Sequence, residues 1–161
     1  MEIKKIGLIL ALASSSSLVN AEIRIGVVTS SSGPIAMVGI PQKNSIALLP
    51  KTIGGEAVKY FSLDDASDPT ASVKAVTKLI SENNVDAIIG PSGSPNAMAV
   101  IGTIAKAGVP LLAPVGTASV VLPMDAQKKW VFKTTQNDNL IATAIIDDMV
   151  KRGYKTVGFI G

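Results

Sequence analysis

The chain has 161 residues, of which 15 are Lys or Arg and 12 are Asp or Glu, so its formal net charge at pH 7 is +3. It contains neither cysteine nor histidine, which excludes disulfides, thiolate metal sites and the usual general base of serine hydrolases. The basic residues form no cluster, so the charge pattern does not indicate nucleic-acid binding. Most familiar enzyme classes are disfavoured, and we expect neither catalysis nor a cofactor.

The first 21 residues have the pattern of a secretory signal peptide. Lys4 and Lys5 precede an apolar run at residues 6–13, and serines and small residues follow it. The run is far shorter than the ~20 residues needed to cross a bilayer as a helix. We therefore expect residues 1–21 to be removed on export, leaving a periplasmic chain that begins at Glu22 and has no membrane span.

The rest of the sequence alternates between predicted strands and predicted helices. Short runs rich in apolar and β-branched residues predict strands at residues 23–28, 57–63, 85–89, 109–112, 131–133 and 155–160. Helical patterns lie at about residues 42–49, from 69 onward, at 95–107 and after 137. Asp68 and Pro69 form a capped helix start, and Gly108 is a helix stop.

This alternation predicts a doubly wound α/β fold with a parallel sheet. In such folds, ligands bind beyond the carboxyl ends of the strands, near the point where the strand order reverses. The loops that should form a site are therefore residues 29–39, 64–69, 90–95 and 113–119.

The loop at residues 90–95 has the sequence GPSGSP and invites several interpretations. A nucleophile elbow needs glycine at position 94, where this chain has serine, and the loop has no lysine for a phosphate site. The start of a helix does suit a carboxylate or another small anion. Alternatively, Ser94 caps the helix that Pro95 begins, and the two roles are compatible.

Two other features could be taken for sites. Asp64, Asp65 and Asp68 carry the oxygen ligands that calcium or magnesium prefers. The stronger interpretation is that one caps a helix while the others face solvent or tie down the loop. Trp130 could stack on a ligand, although a tryptophan beside a strand more often packs against the edge of a lobe.

Several segments together resemble one family, the periplasmic branched-chain amino-acid binding proteins of ABC importers, with the type I solute-binding fold. The segments are IRIGVV, SGPIAMVG, LDDASDPTASVKAVTKLI, VDAIIGPSGSPNA, GVPLLAPVGTAS and VFKTTQNDN. The resemblance covers residues 22–161. It implies that residues 22–135 form the N-terminal part of ligand-binding lobe 1. Residues 136–161 would then be the crossover and the first helix and strand of lobe 2, so we expect a truncated, incomplete second lobe.

The resemblance also implies a function. Members of the family bind an amino acid or a related small carboxylate without catalysis and deliver it to a membrane permease of an ABC transporter. Ser94 and Thr117 fall where the family places hydroxyls on the ligand, and the Val115 carbonyl falls where one accepts from the ligand's ammonium. Ser32 and Gly116 lie nearby. With one lobe incomplete, we expect impaired binding by this chain alone.

Three alternatives remain open. Val38 stands where better-known members of the family carry an aromatic residue, so the cleft could hold a bulkier aromatic acid instead of an amino acid. The same fold also serves as the extracellular ligand-sensing module of receptors. A hydrolase using Ser94 is the third, and the absence of histidine makes it the weakest.

Overall fold

The computed structural model describes residues 22–159, which contain a six-stranded sheet in the order β2-β3-β1-β4-β5-β6. The strands are β1 (Glu22–Thr29), β2 (Thr52–Ile53), β3 (Glu56–Asp64), β4 (Ala87–Ile89), β5 (Leu111–Ala113) and β6 (Val131–Lys133). All neighbouring pairs are parallel except the β2–β3 hairpin. The predicted parallel α/β architecture is confirmed. The predicted signal peptide lies outside the described residues.

Four α-helices connect or follow these strands. They are α1 (Ala36–Ser45), α2 (Pro69–Asn83), α3 (Ser94–Ala107) and α4 (Asp138–Lys151). Short 3-10 turns follow α1 at Ile46–Leu48 and flank the loop before β6 at Ala118–Val120 and Lys128–Trp130. Within residues 22–159, none of the helices combines the length and the hydropathy needed to cross a bilayer.

Local sequence chemistry sets the boundaries of α2 and α3. Asp68 accepts a hydrogen bond of 2.6 Å from the backbone N–H of Ala71, and Pro69 occupies the first turn. This is the predicted helix start, because a side-chain oxygen satisfies an N–H that has no partner within the helix. At the end of α3, Gly108 adopts φ +67° as its C-cap, also as predicted.

The hydrophobic core lies on one face of the sheet, beneath α2 and α3. Parallel register places Gly26 beside Ile88 and Ile88 beside Leu111, so these residues share that face. Leu79 of α2 and Ile104 of α3 are fully buried against it. The apolar stripes of the two helices are therefore explained by packing alone.

The opposite face of the sheet is only partly covered. The register aligns Val27, Ile89, Leu112 and Phe132 in one row across β1, β4, β5 and β6. Val27, next to α1, is 3% exposed, whereas Phe132 at the far edge is 54% exposed. Parallel sheets are normally covered on both faces. We call the row from Ile89 to Phe132 the open face.

The structure differs from the predicted elements in three places. The strand predicted at residues 155–160 is wrong, because residues 155–159 are irregular, and residue 160 lies outside the described range. A strand needs a neighbour for its backbone hydrogen bonds, and this segment has none among the described residues. Helix α1 begins at residue 36 rather than about 42, with Pro41 accommodated inside it. The short strand β2 was not predicted.

Candidate functional site

Strands β1, β3, β4, β5 and β6 run in the same direction, so their carboxyl ends meet at one edge of the sheet. The chain leaves β1 toward β3 on one side and leaves β4 toward β5 on the other. The strand order therefore reverses between β1 and β4, the position where such sheets bind ligands. We call the loops at residues 30–35, 65–68 and 114–117, together with residues 90–94, the carboxyl edge.

Ser32 fastens the loop after β1 to the loop after β3. Its backbone N–H donates to Asp64 Oδ1 at 3.3 Å, and its carbonyl accepts from Ser67 Oγ at 2.7 Å. The same Ser67 hydroxyl accepts from the N–H of Ile35 at 3.2 Å. The backbone of Ser32 is therefore engaged within the protein, while the residue itself is exposed at the carboxyl edge.

Asp64 is the charged residue in this set of hydrogen bonds between the two loops, which we call the clasp. Partial desolvation acts to raise the pKa of its carboxyl group. Hydrogen bonds from the Ser32 side chain, the Ala66 backbone and the Ser31 side chain together lower that pKa by a larger amount. The net effect is a pKa below the ordinary value. The hydrogen bonds prevail because they all favour the ionised carboxylate and the group is otherwise solvated.

Asp65, the next residue, is wholly buried, and its carboxylate accepts four hydrogen bonds. The donors are Ser30 Oγ at 2.7 Å and Ser67 N at 3.0 Å to Oδ1, and Ser72 Oγ at 2.7 Å and Asn96 Nδ2 at 2.8 Å to Oδ2. Asp65 does not face solvent; it ties down the loop, and Asp68 caps α2. Within residues 22–159, no group of three or more acidic residues is arranged to hold a metal ion.

Ser94 is the first residue of α3, and Gly93 is its N-cap. The interpretation of Ser94 as the helix cap is therefore wrong: the structure has no side-chain cap at this end. The reason is geometric, since a capping residue needs extended backbone, which Gly93 has at φ −102° and ψ 145°. Among the described residues, the half-buried Ser94 hydroxyl makes no hydrogen bond.

Val115 and Thr117 lie in the loop after β5. Val115 is buried, and its carbonyl accepts from Thr135 Oγ1 at 2.7 Å. Thr117 begins the 3-10 turn at Ala118–Val120, and its Oγ1 accepts from the N–H of Ser119 at 3.2 Å. Both groups thus have a partner in the protein, and each oxygen keeps further acceptor capacity.

Gly116 lies between them, against the start of α4. Its carbonyl accepts from the N–H of Asp138 at 3.1 Å. A β-carbon at Gly116 would collide with the Asp138 carboxylate. Absence of a side chain is what allows this close approach.

The structure thus places all five predicted ligand residues at the carboxyl edge. Ser94 follows β4, residues 115–117 follow the adjacent β5, and Ser32 follows β1 on the other side of the reversal point. The five residues make no hydrogen bonds to one another. They line the edge from three strands and do not form a closed pocket.

A cleft of about 180 Å³ lies beneath α1, on the face of the sheet opposite α2 and α3, and it reaches the carboxyl edge at Gly90 and Pro114. Its lining is mainly apolar and includes Val27, Thr29, Gln42, Ile46, Leu49, Ile89, Gly90 and Pro114. Thr29 Oγ1 is buried and has no hydrogen-bond partner among the described residues. None of the five predicted ligand residues lines this cleft, which adjoins the open face.

Comparison with known proteins identifies the family. Residues 22–161 match the family model described as periplasmic binding protein. The chain belongs to the periplasmic binding protein family. The resemblance found in the sequence is thereby confirmed, and so is the expected fold, a type I periplasmic-binding-protein lobe of which this chain forms the N-terminal portion.

Three relatives of this periplasmic binding protein show how much of such a protein it spans. A solved extracellular ligand-binding receptor from Rhodopseudomonas palustris HaA2 is 47% identical with a TM-score of 0.80, covering 83% of this chain and 37% of the receptor. A solute-binding protein of an ABC transporter from R. palustris, solved with 4-hydroxybenzoate, is 25% identical with a TM-score of 0.73. The match covers 83% of this chain and 37% of that protein. The Leu/Ile/Val-binding protein BraC3 from Rhizobium johnstonii is 31% identical over 107 residues, which is 63% of this chain and 29% of BraC3. The chain therefore spans well under half the length of these relatives.

Three residues of this periplasmic binding protein's edge were not predicted from sequence. Ser92 Oγ accepts from the N–H of Ser30 at 3.0 Å, Asn96 donates to Asp65, and Asp138 contacts Gly116. Ser92 and Asn96 stand two residues before and after Ser94, the first inside the loop at residues 90–95 and the second directly after it. Their buried partners are 24 or more residues away, so no local pattern identifies them.

Proposed function

We propose that this chain is the N-terminal part of the solute-binding component of an ABC importer, holding a small carboxylate at the carboxyl edge without catalysis. The observation that carries the proposal is the start of α3. The N–H groups of Ser94 and Asn96, which have no partner within the helix, lie beside the free Ser94 hydroxyl at the strand reversal point. Such a group of neutral donors suits a carboxylate and leaves nothing to activate a nucleophile.

The remaining predicted residues complete the proposed contacts. Thr117 adds a second hydroxyl from the neighbouring strand, and Gly116 gives the ligand access to backbone. The Val115 carbonyl accepts from Thr135, and its second lone pair is available to a ligand ammonium. The backbone groups of Ser32 are already bonded, and its hydroxyl hydrogen-bonds Asp64, so Ser32 would contact the ligand only through the remaining lone pair of that hydroxyl.

The proposed ligand is a branched-chain or related amino acid, with an aromatic acid as the alternative. BraC3 is a Leu/Ile/Val-binding protein, and the R. palustris solute-binding protein was solved with 4-hydroxybenzoate. Val38, in the first turns of α1, is 45% exposed. A side chain of this size leaves room for an aromatic ring near the loop after β1.

The proposed domain organisation follows the resemblance. Residues 22–135 would form the N-terminal part of lobe 1, and residues 136–161 would lead into lobe 2. Helix α4 has no buried residues, which supports its assignment to a separate unit. Hinge closure over a ligand requires both lobes. We therefore propose that this chain alone binds weakly, and that the exported protein works in the periplasm with a membrane permease.

A ligand titration followed by NMR tests the proposal. Leucine, isoleucine and 4-hydroxybenzoate are added to the chain, and we expect Kd values above about 1 mM, equivalent to less than about 4 kcal/mol of binding free energy. Shifts should concentrate at residues 92–97 and 115–117. Ser94→Ala should weaken them, whereas Ser81→Ala, an exposed serine near the other end of α2, should not. Tight micromolar binding would contradict the claim of impairment, and shifts elsewhere would contradict the site.

A sensor role is the second candidate, because the most similar structure described above is an extracellular ligand-binding receptor. The proposed edge would bind its ligand in the same way, and only the output would differ. A membrane-spanning segment joined to a signalling domain in the complete protein would decide for the sensor. Dependence of ligand uptake on a permease would decide for the importer.

A further inference from the structure

Asp65 is a buried carboxylate without a cationic partner. It is 0% exposed, and all four of its donors are uncharged. The ion pairs of the described chain all lie elsewhere, at Glu22, Glu82 and Asp148. Burying a charge is costly, and well-packed apolar residues of the same volume often stabilise a fold equally well. Two of the donors, Ser30 and Asn96, are more than 30 residues away from Asp65 in the chain, so the arrangement also connects separate segments.

The hydrogen bonds around Asp65 close a ring through the loop that carries Ser94. On one side of Ser94, the Ser92 hydroxyl accepts from the N–H of Ser30, and the Ser30 hydroxyl donates to Asp65 at 2.7 Å. On the other side, the Asn96 amide donates to Asp65 at 2.8 Å. Ser94 is therefore held between two anchors that converge on one carboxylate.

The same carboxylate also reaches the loop of Ser32. Asp65 Oδ1 accepts from the N–H of Ser67, and the Ser67 hydroxyl donates to the Ser32 carbonyl. Asn96 donates a second bond to Ser72 at 2.8 Å, which attaches α3 to α2. One buried group thus relates the loops after β1, β3 and β4 to one another.

We propose that Asp65 and Asn96 are positioning residues, which hold the Ser94 hydroxyl and the first N–H groups of α3 in register with the Ser32 loop. This inference rests on the proposed function, since it explains how the edge is organised before a ligand arrives. Neither residue contacts the ligand. Their contribution is to reduce the ordering cost of binding, because a rigid edge loses less freedom when it is occupied.

Variants that replace or swap the carboxylate of Asp65 and the amide of Asn96 test this proposal. Asp65→Asn places two amides face to face, and Asn96→Asp places two carboxylates face to face. The double variant Asp65→Asn/Asn96→Asp restores one amide and one carboxylate with their positions exchanged. Ser30 and Ser67 can still donate to the oxygen of Asn at 65, and Ser72 can donate to Asp at 96. Val100→Ala, in the buried face of α3, is the matched control for loss of stability alone.

Two measurements are made on the whole chain of each variant, at a temperature where circular dichroism shows it folded. The first is amide hydrogen exchange at Ser94, Asn96 and Ala97, since Pro95 has no N–H, relative to exchange at core residues of α2. The second is the initial slope of the NMR titration with 4-hydroxybenzoate and leucine, which varies inversely with Kd. We expect each single substitution to speed up amide hydrogen exchange in the loop and to weaken binding by about tenfold. This is the effect of losing one hydrogen bond to a charged group. The double variant should recover most of both.

The proposal is overturned if the single variants change loop exchange no more than Val100→Ala does, or if the double variant fails to recover. Should a single variant not fold, Ser30→Ala removes one donor to Asp65 and is compared in its place. If the unmodified chain binds neither ligand, the proposed function fails instead. Loop exchange then decides by itself whether Asp65 and Asn96 hold the loop.

Discussion

The carboxylate of Asp138, at the start of α4, occupies the space that a β-carbon on Gly116 would need. The N–H of Asp138 also donates to the Gly116 carbonyl at 3.1 Å. Because α4 buries no residue of its own, this contact is a principal link between the loop after β5 and the final helix.

Gly116→Ala should therefore loosen the start of α4. The new methyl group must displace the Asp138 side chain, so we expect faster hydrogen exchange at residues 138–142 and earlier proteolytic cleavage there. Gly102→Ala is the matched control, because Gly102 lies in α3 with open space at its β-carbon position and should gain helix stability of about 1 kcal/mol. Unchanged exchange in Gly116→Ala would show that the contact holds nothing in place.

Gly90 should tolerate no side chain. It adopts φ +109°, and a β-carbon there would collide with the carbonyl of Val28 in β1. Backbone strain and the displaced carbonyl together predict that Gly90→Ala lowers the free energy of unfolding by about 2 kcal/mol or more. Urea unfolding measures the loss, with Gly54→Ala as control, since Gly54 also has positive φ but nothing near its β-carbon position. Equal losses would mean that strain alone matters.

Acid should release the clasp between the loops after β1 and β3. The pKa of Asp64 is lowered in the fold, so its stabilising effect is fully present above the unfolded-state pKa of about 4 and is lost as pH falls through the lower folded-state value. We expect the Ser32 amide resonance to titrate in that acid range. Asp64→Asn should abolish this titration, whereas Asp147→Asn, on exposed α4, should leave it. A Ser32 resonance indifferent to pH would contradict the clasp.

The open face and the exposed apolar residues of α4 should promote self-association. Phe132, on the edge strand β6, is 54% exposed, and Ile145 on α4 is also 54% exposed. Exposed apolar patches favour association. Sedimentation velocity should show oligomers that dissociate in Phe132→Ser and Ile145→Ser. The control Met124→Ser alters an exposed apolar residue in the loop before β6. A monodisperse, monomeric unmodified chain would contradict this expectation.

Much of the architecture follows from interactions between residues that are close together in the sequence, and these can be predicted from it. Asp68 and Pro69 determine where α2 begins, because one supplies an acceptor and the other needs no partner for its nitrogen. The β2–β3 hairpin was missed although its Gly54-Gly55 turn, with φ +60° and +90°, is a recognisable hairpin signal. A two-residue strand simply has too little pattern to be noticed.

Long-range pairing decided the rest. The apolar run at residues 155–160 has strand composition, yet residues 155–159 are irregular, since a strand exists only beside another strand. Asp65 and Asp64 are neighbours in sequence with the same chemistry, but one is wholly buried and the other exposed. The difference arises from Ser30, Ser72 and Asn96, which converge on Asp65 from three separate segments.

By itself, the sequence determined the α/β class, the family, the helix boundaries at Asp68 and Gly108, and the edge on which Ser94 lies. Those features depend on periodicity and on residues close together in the chain. Only the tertiary structure decided that Gly93 and not Ser94 caps α3, that Asp65 anchors the loops around Ser94, and that one face of the sheet is open. These features depend on which distant segments come into contact. A local sequence pattern does not specify a hydrogen bond or a buried surface between such segments.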